Sequence, residues 1–322
     1  MVASPRRQIC RWSSVTVVDE RPPMTPYGAR YQPPQGPKRE IQARVRDGIR
    51  TFGQATSRLR ILPDYLIIGT KRGGTTSLAR WLLGHPQVAS LFPSRETRKG
   101  TYYFDANYGR GESWYRSHFP TAAGHALAER RAGGPLLIGE ATPYYLHHPH
   151  APIRARSLVG GAKVIALLRN PVDRAQGHWA ERVRQGVETL SFDDALAAEK
   201  ERLDGEEERM IDDPSYVSFA HQHLSYVDQG RYGRGLERWL NTFPADQLLI
   251  LRSEDLYAQP SEVYQQVLDF LDLGPHQPAE LSGWNRTNND ALDPAVRARL
   301  TDELAPDIAA VEKILGRSMG WT

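Results

Sequence analysis

The chain has 322 residues, with 41 Lys and Arg against 38 Asp and Glu, a formal charge of +3, and a single cysteine, Cys10. That length buries one sizeable core but is short for two full domains, and the near balance of charge gives no reason to expect a nucleic-acid partner, so any anion site has to be built locally. One cysteine excludes an intramolecular disulfide and a thiolate metal cluster and fits a reducing cytoplasm, while no stretch reaches the roughly 20 apolar residues of a membrane span.

Residues 1–40 are rich in Pro, Arg, Ser and Gly, including Pro22-Pro23 and Pro33-Pro34, and are expected to form a disordered arm; Met24 stands as an alternative start. Residues 41–60 place Ile41, Val45, Ile49 and Phe52 at helical spacing, which predicts a basic amphipathic helix packed on the main domain of residues 61–322. From Asp64 the pattern becomes strand, glycine turn and helix, and Gly84 and Pro86 stop that helix. Further apolar runs at 135–141, 163–169 and 247–252 are continuous rather than alternating, as in strands covered on both faces. Strands alternating with helical patterns predict an α/β fold with a mostly parallel sheet, whose ligands bind beyond the carboxyl ends of the strands.

The first such end reads Gly69-Thr70-Lys71-Arg72-Gly73-Gly74-Thr75-Thr76-Ser77. Glycines let backbone N–H groups approach phosphate oxygens, and the helix start behind them adds positive potential. A nucleoside-triphosphate loop requires Lys after its last glycine, but here Thr75 follows Gly74 and the cations Lys71 and Arg72 lie inside the loop. That shift argues against a kinase or NTPase and for a differently shaped anionic donor. The second end puts Arg169 at a strand terminus, followed by Asn170-Pro171 at a helix start. Such an arginine serves as a bidentate anion ligand or as a structural partner of Asp173.

On these two segments the chain resembles the sulfotransferase family that uses 3'-phosphoadenosine-5'-phosphosulfate (PAPS), in particular the heparan-sulfate-type domains and their bacterial relatives. Gly69–Leu78 resembles the family's 5'-phosphosulfate loop, and Arg169-Asn170-Pro171-Val172-Asp173-Arg174-Ala175 its 3'-phosphate motif. Lys99–Pro120, Glu140–Tyr145, Gly230–Tyr232 and Leu236–Trp239 extend the similarity, which runs from about Leu62 to Trp321. The resemblance implies a P-loop-like three-layer fold, PAPS as donor, no metal, and a small-molecule or glycan hydroxyl acceptor. It also implies donor contacts from Lys71, Arg72, Gly73, Gly74, Thr75, Thr76, Ser77, Arg169 and the position of Gly177; separately, the polar loop Trp284–Asn289 makes Arg286 a further candidate nucleotide contact. Oligomeric state is left open.

Three positions depart from the family pattern. Arg72 stands where a leaving-group lysine is common, so Arg72 and Lys71 share the expected catalytic role of stabilising the departing phosphate. Gly177 replaces a phosphate-binding serine, and Gly100, in Lys99-Gly100-Thr101-Tyr102-Tyr103-Phe104, replaces the glutamate expected to act as general base. Asp105 and Glu140 are the candidate replacements, with Glu96 and His118 behind them. A PAPS-binding protein without activity is the alternative these losses raise. The nearby aromatics are expected mostly in the core. His147, His148 and His150 read as loop surface because they lack a spaced partner set for metal. His178, His221 and His223 are weaker acceptor-site candidates, and Arg231 a weaker nucleotide contact.

Overall fold

The computed structural model describes residues 37–93, 99–278, 281 and 291–321. The expectations for residues 1–36, for Glu96 and for Arg286 lie outside the described residues. In chain order the helices are α1 (Pro37–Ala55), α2 (Thr75–Leu83), α3 (Glu112–Arg116), α4 (Ala122–Ala132), α5 (Ala151–Val159), α6 (Pro171–Arg184), α7 (Phe192–Leu203), α8 (Glu206–Asp212), α9 (Phe219–His223), α10 (Tyr232–Leu240), α11 (Ser253–Ala258), α12 (Pro260–Leu271) and α13 (Pro294–Leu315). The strands are β1 (Tyr65–Gly69), β2 (Val88–Ala89), β3 (Leu137–Ala141), β4 (Lys163–Leu168) and β5 (Leu248–Arg252).

Among the described residues these strands form one parallel sheet in the order β2-β3-β1-β4-β5. The apolar runs are continuous because both faces of the sheet are covered. Leu66 and Ile68 of β1, with Val164, Ala166 and Leu168 of β4, face a core built from α3, α5, α10 and α13. Tyr65 and Ile67, with Ile165 and Leu167, face a second core built from α2, α11 and α12. Two buried faces, each taking every second side chain, give the three-layer arrangement that the sequence pattern predicts.

Strand β1 sits at the centre with β3 on one side and β4 on the other; the connection leaving β1 runs to β2 on one side of the sheet, and the one leaving β4 runs to β5 on the other. Loops leaving the carboxyl ends of β1 and β4 therefore lie side by side at a topological switch point, where open α/β sheets bind ligands. Helix α6 is fixed there by Pro171 in its first turn and by Asn170, whose side-chain oxygen accepts from the N–H groups of Val172 (3.0 Å) and Asp173 (3.3 Å). A third apolar cluster, with Val172 and Ala175 against Phe192, Tyr226, Leu300 and Leu304, seats α6 on α7 and α13. Helix α1 starts at Pro37, before the expected Ile41. It packs on the domain through Arg50, which donates to the carbonyls of Ser117 (2.8 Å) and Phe92 (3.0 Å).

Candidate functional site

The loop after β1 is tied to β4, because Thr70 N–H donates to the Leu167 carbonyl at 2.6 Å and Gly73 N–H closes a turn onto Thr70 at 2.9 Å. Gly74 has φ of 92°, and a Cβ there would meet Leu256 at 2.7 Å and the Tyr257 hydroxyl at 3.0 Å, so both backbone and space demand glycine. Helix α2 follows with Thr75, Thr76 and Ser77 in its first turn, where backbone N–H groups point out of the helix end. A cradle of backbone donors at a helix N-terminus results, facing the mouth of β4.

Arg169 leaves β4 and donates from Nη1 to the carbonyl of Arg72 at 3.2 Å. Among the described residues it makes no ion pair: Asp173, the expected structural partner, is instead 2.5 Å from Arg297. Arg169 and Arg72 meet over Gly177, where an added Cβ would lie 3.5 Å from Arg169 Nη1 and 3.6 Å from Arg72 Cβ and Nε. Arg72 is also 3.7 Å from Glu181 on α6.

The two lysines point different ways. Lys71 Nζ donates to the Gln222 carbonyl and lies 4.8 Å from the centre of the Tyr144 ring, toward α9 and away from the threonines. Burial, with Arg182 nearby, pushes its ammonium well below the usual lysine range. Lys99 takes the position beside the loop, donating to Thr76 Oγ1 at 2.6 Å and Thr75 Oγ1 at 3.1 Å. Burial lowers it to about 8.

The two candidate carboxylates are both 2% exposed but differ in their partners. Glu140 is saturated: Oε2 accepts from Thr101 N (2.6 Å), Thr101 Oγ1 (2.6 Å) and Thr142 Oγ1 (3.3 Å), and Oε1 from the hydroxyls of Tyr115 (2.9 Å) and Tyr145 (3.2 Å). Asp105 Oδ1 accepts from Ala106 N–H at 2.5 Å, and Oδ2 is buried without a hydrogen-bond partner. Desolvation pushes the Asp105 carboxyl up to about 7, against the Ala106 hydrogen bond and the nearby cations Lys71 and Arg154.

The match to known families falls on this same region: the model of the sulfotransferase domain covers residues 62–287, more than half of the chain. The chain belongs to the sulfotransferase family. As a sulfotransferase, it catalyses transfer of a sulfuryl group to an acceptor. It is 25% identical over 350 residues to the membrane-associated sulfotransferase kil1 of Dictyostelium discoideum, covering 88% of this chain and 72% of that protein. It is 32% identical over 220 residues to the human bifunctional heparan sulfate N-deacetylase/N-sulfotransferase 3, covering 67% of this chain but only 23% of that protein. A crystal structure of a sulfotransferase from Alicyclobacillus acidocaldarius superposes with a TM-score of 0.61 at 25% identity, over 80% of this chain and 97% of that one. Among the described residues no helix is long and apolar enough to cross a membrane.

Within this sulfotransferase, Gly100 is enforced by packing. A Cβ there would lie 2.3 Å from the Ala141 carbonyl and 2.5 Å from Thr142 Oγ1, because Ala141 N–H donates to Lys99 at 2.8 Å and draws the segment onto β3. Lys99 escaped selection from the sequence, and its only signal was its place directly before that glycine. Arg231 is engaged by Glu303 (2.8 Å) and Asp307 (2.5 Å) of α13, so its observed contacts are ion pairs within the protein. His118 is buried, with Nδ1 donating to the Trp114 carbonyl at 2.9 Å. His178 is buried edge-on to Tyr226, and His223 Nδ1 lies 2.9 Å from Arg182. Tyr103, Trp114, Tyr115, Tyr144 and Tyr145 are core residues as expected. His147, His148 and His150 do not form loop surface: His148 is buried, the other two are half-buried, and the Tyr144 ring packs against both His147 and His148.

Proposed function

We propose that residues 61–322 act as one PAPS-dependent sulfotransferase unit that sulfates a hydroxyl on a carbohydrate, glycolipid or secondary metabolite and releases adenosine 3',5'-bisphosphate. The observation carrying the donor assignment is the convergence on one sheet edge of two segments far apart in the chain, the Arg72 loop with the Gly73–Ser77 helix start and Arg169 at the end of β4. Two sites fit a nucleotide with anions at both ends, the phosphosulfate on the loop and the 3'-phosphate on Arg169. In this reading the acceptor oxygen attacks sulfur, the bond from sulfur to the bridging phosphate oxygen breaks, and negative charge grows on the leaving phosphate. Arg72 and Lys99 oppose that charge, with the Thr75 and Thr76 hydroxyls and backbone donors holding oxygens.

The proton of the acceptor goes to Asp105 rather than Glu140. A base needs a free lone pair and a pKa near the working pH, and Asp105 Oδ2 offers both, whereas the Glu140 oxygens are engaged by five donors. Lys71, next to Asp105 electrostatically, keeps that carboxyl from rising further. Glu140 instead anchors Thr101, Tyr115 and Tyr145 around the aromatic wall. No metal enters this transfer scheme. A cytoplasmic setting, suggested by the lone Cys10, belongs to the same reading and is tested by fractionation.

Incubation of the protein with isotopically labelled PAPS and a metabolite extract tests the reading, with mass detection of new sulfate esters. Labelled ester with stoichiometric release of the bisphosphate supports it; nucleotide binding without any transfer contradicts the enzyme reading while sparing the donor site.

A further inference from the structure

Beside Tyr144, three chain segments bring together His147, His221 of α9 and Asp228. Each offers one ligand atom, and these atoms lie within 4.8 Å of one another. His147 Nε2 is 3.2 Å from Asp228 Oδ2, and the His147 and His221 rings stack with centroids 4.2 Å apart. His221 is 2% exposed, and its Nε2 is buried with no hydrogen-bond partner. An imidazole nitrogen in that state is costly without a use, because burial removes its water and nothing replaces it.

We propose that His147, His221 and Asp228 form a zinc site that pins the Tyr144–His150 loop to α9 and to the turn at Asp228. Two imidazoles and one carboxylate are a borderline ligand set of the kind zinc takes, with a fourth position left for water. Partners that orient two of the ligands are already present. Tyr144 Oη lies 2.6 Å from His221 Nδ1 and can accept its proton, which fixes the tautomer with Nε2 bare. On Asp228, Arg234 binds Oδ1 at 2.6 Å and leaves Oδ2 to the cluster, and Arg234 is itself neutralised by Glu207 at 2.8 Å. Zinc bonds of about 2.0–2.1 Å place tetrahedral ligands roughly 3.3 Å apart, so binding draws the His221 and His147 rings inward from their stacked arrangement.

Lys71 near His221 works against a cation and favours a metal held by strong directional bonds over one held by charge alone, such as Ca²⁺ or Mg²⁺. The consequence for the enzyme is positional, since the pinned elements carry Gln222 and Tyr144, the two groups that hold Lys71.

The test uses tag-free full-length protein, stripped with a chelator and titrated with Zn²⁺ by calorimetry and with Co²⁺ by visible absorption. One equivalent of each is expected, with the intense visible bands of four-coordinate Co²⁺ and a higher Tm on zinc addition. Asp228→Asn and His221→Ala should abolish uptake. Tyr144→Phe, which leaves all ligands in place, should weaken it about tenfold through the loss of the orienting hydrogen bond. Circular dichroism establishes that each variant is folded; should His221→Ala fail to fold, Asp228→Asn and Tyr144→Phe carry the decision. Absence of Zn²⁺ and Co²⁺ uptake by the stripped wild-type protein overturns the proposal, as does uptake that survives Asp228→Asn unchanged. The readout is metal binding, so its failure leaves the donor assignment untouched.

Discussion

Replacing Asp105 by Asn removes the ionisable oxygen while keeping the acceptor for Ala106 N–H, and it should act on catalysis and on stability in opposite directions. The burial that raises this carboxyl from 3.8 to about 7 makes the protonated form the favoured one in the folded chain. The unfolded chain therefore ionises Asp105 first, and between pH 5 and pH 7 the folded state binds more protons at this group. Stability contributed by it falls as pH rises, by about 1.4 kcal/mol per unit, or roughly 2.7 kcal/mol across that window. The substituted amide cannot ionise, so the Tm of the Asp105→Asn variant relative to wild type should become more positive from pH 5 to pH 7 and level off above. Turnover should drop about 10² to 10⁴-fold with affinity for the bisphosphate unchanged. The assays are thermal melts at several pH values and initial rates with saturating PAPS. Parallel melting curves, or wild-type turnover in the variant, would refute the assignment of the base.

Gly177→Ser places a Cβ at ordinary contact distances of 3.5–3.6 Å between Arg169 and Arg72, so the hydroxyl fits and should tighten bisphosphate binding roughly tenfold, read by calorimetry. Gly100→Glu, which restores the family carboxylate in sequence, meets the Ala141 carbonyl at 2.3 Å; it should lower stability by about 2 kcal/mol or more and bring no gain in turnover, measured by denaturant melts and rates. The pH profile of kcat/KM should be a narrow bell, rising as Asp105 deprotonates near pH 7 and falling as Lys99 loses its proton near pH 8. Lys99→Gln should remove the falling limb.

The sheet was legible because β1, β3, β4 and β5 are short apolar runs covered on both faces, and the two strand-to-helix turns at Gly69–Ser77 and Arg169–Pro171 because their glycines, cations and helix starts are contiguous in the chain. Strand β2 has only Val88 and Ala89 and leaves no pattern to read. What the sequence conceals is convergence across segments. Glu140 stands at a strand end, where a carboxylate invites a catalytic reading, but the donors that saturate it come from Thr101, Tyr115, Thr142 and Tyr145. Lys99 reaches Thr75 and Thr76 only because β3 holds its backbone against the sheet. His147 lacks a ligand partner at any local spacing, and His221 and Asp228 arrive from beyond α8.

The donor assignment depends on Arg169 most directly, and calorimetry of adenosine 3',5'-bisphosphate binding to wild type and Arg169→Ala tests it. The 3'-phosphate contact predicts at least tenfold weaker binding, about 1.4 kcal/mol, in a variant that folds normally. Equal affinity in the two proteins would contradict it.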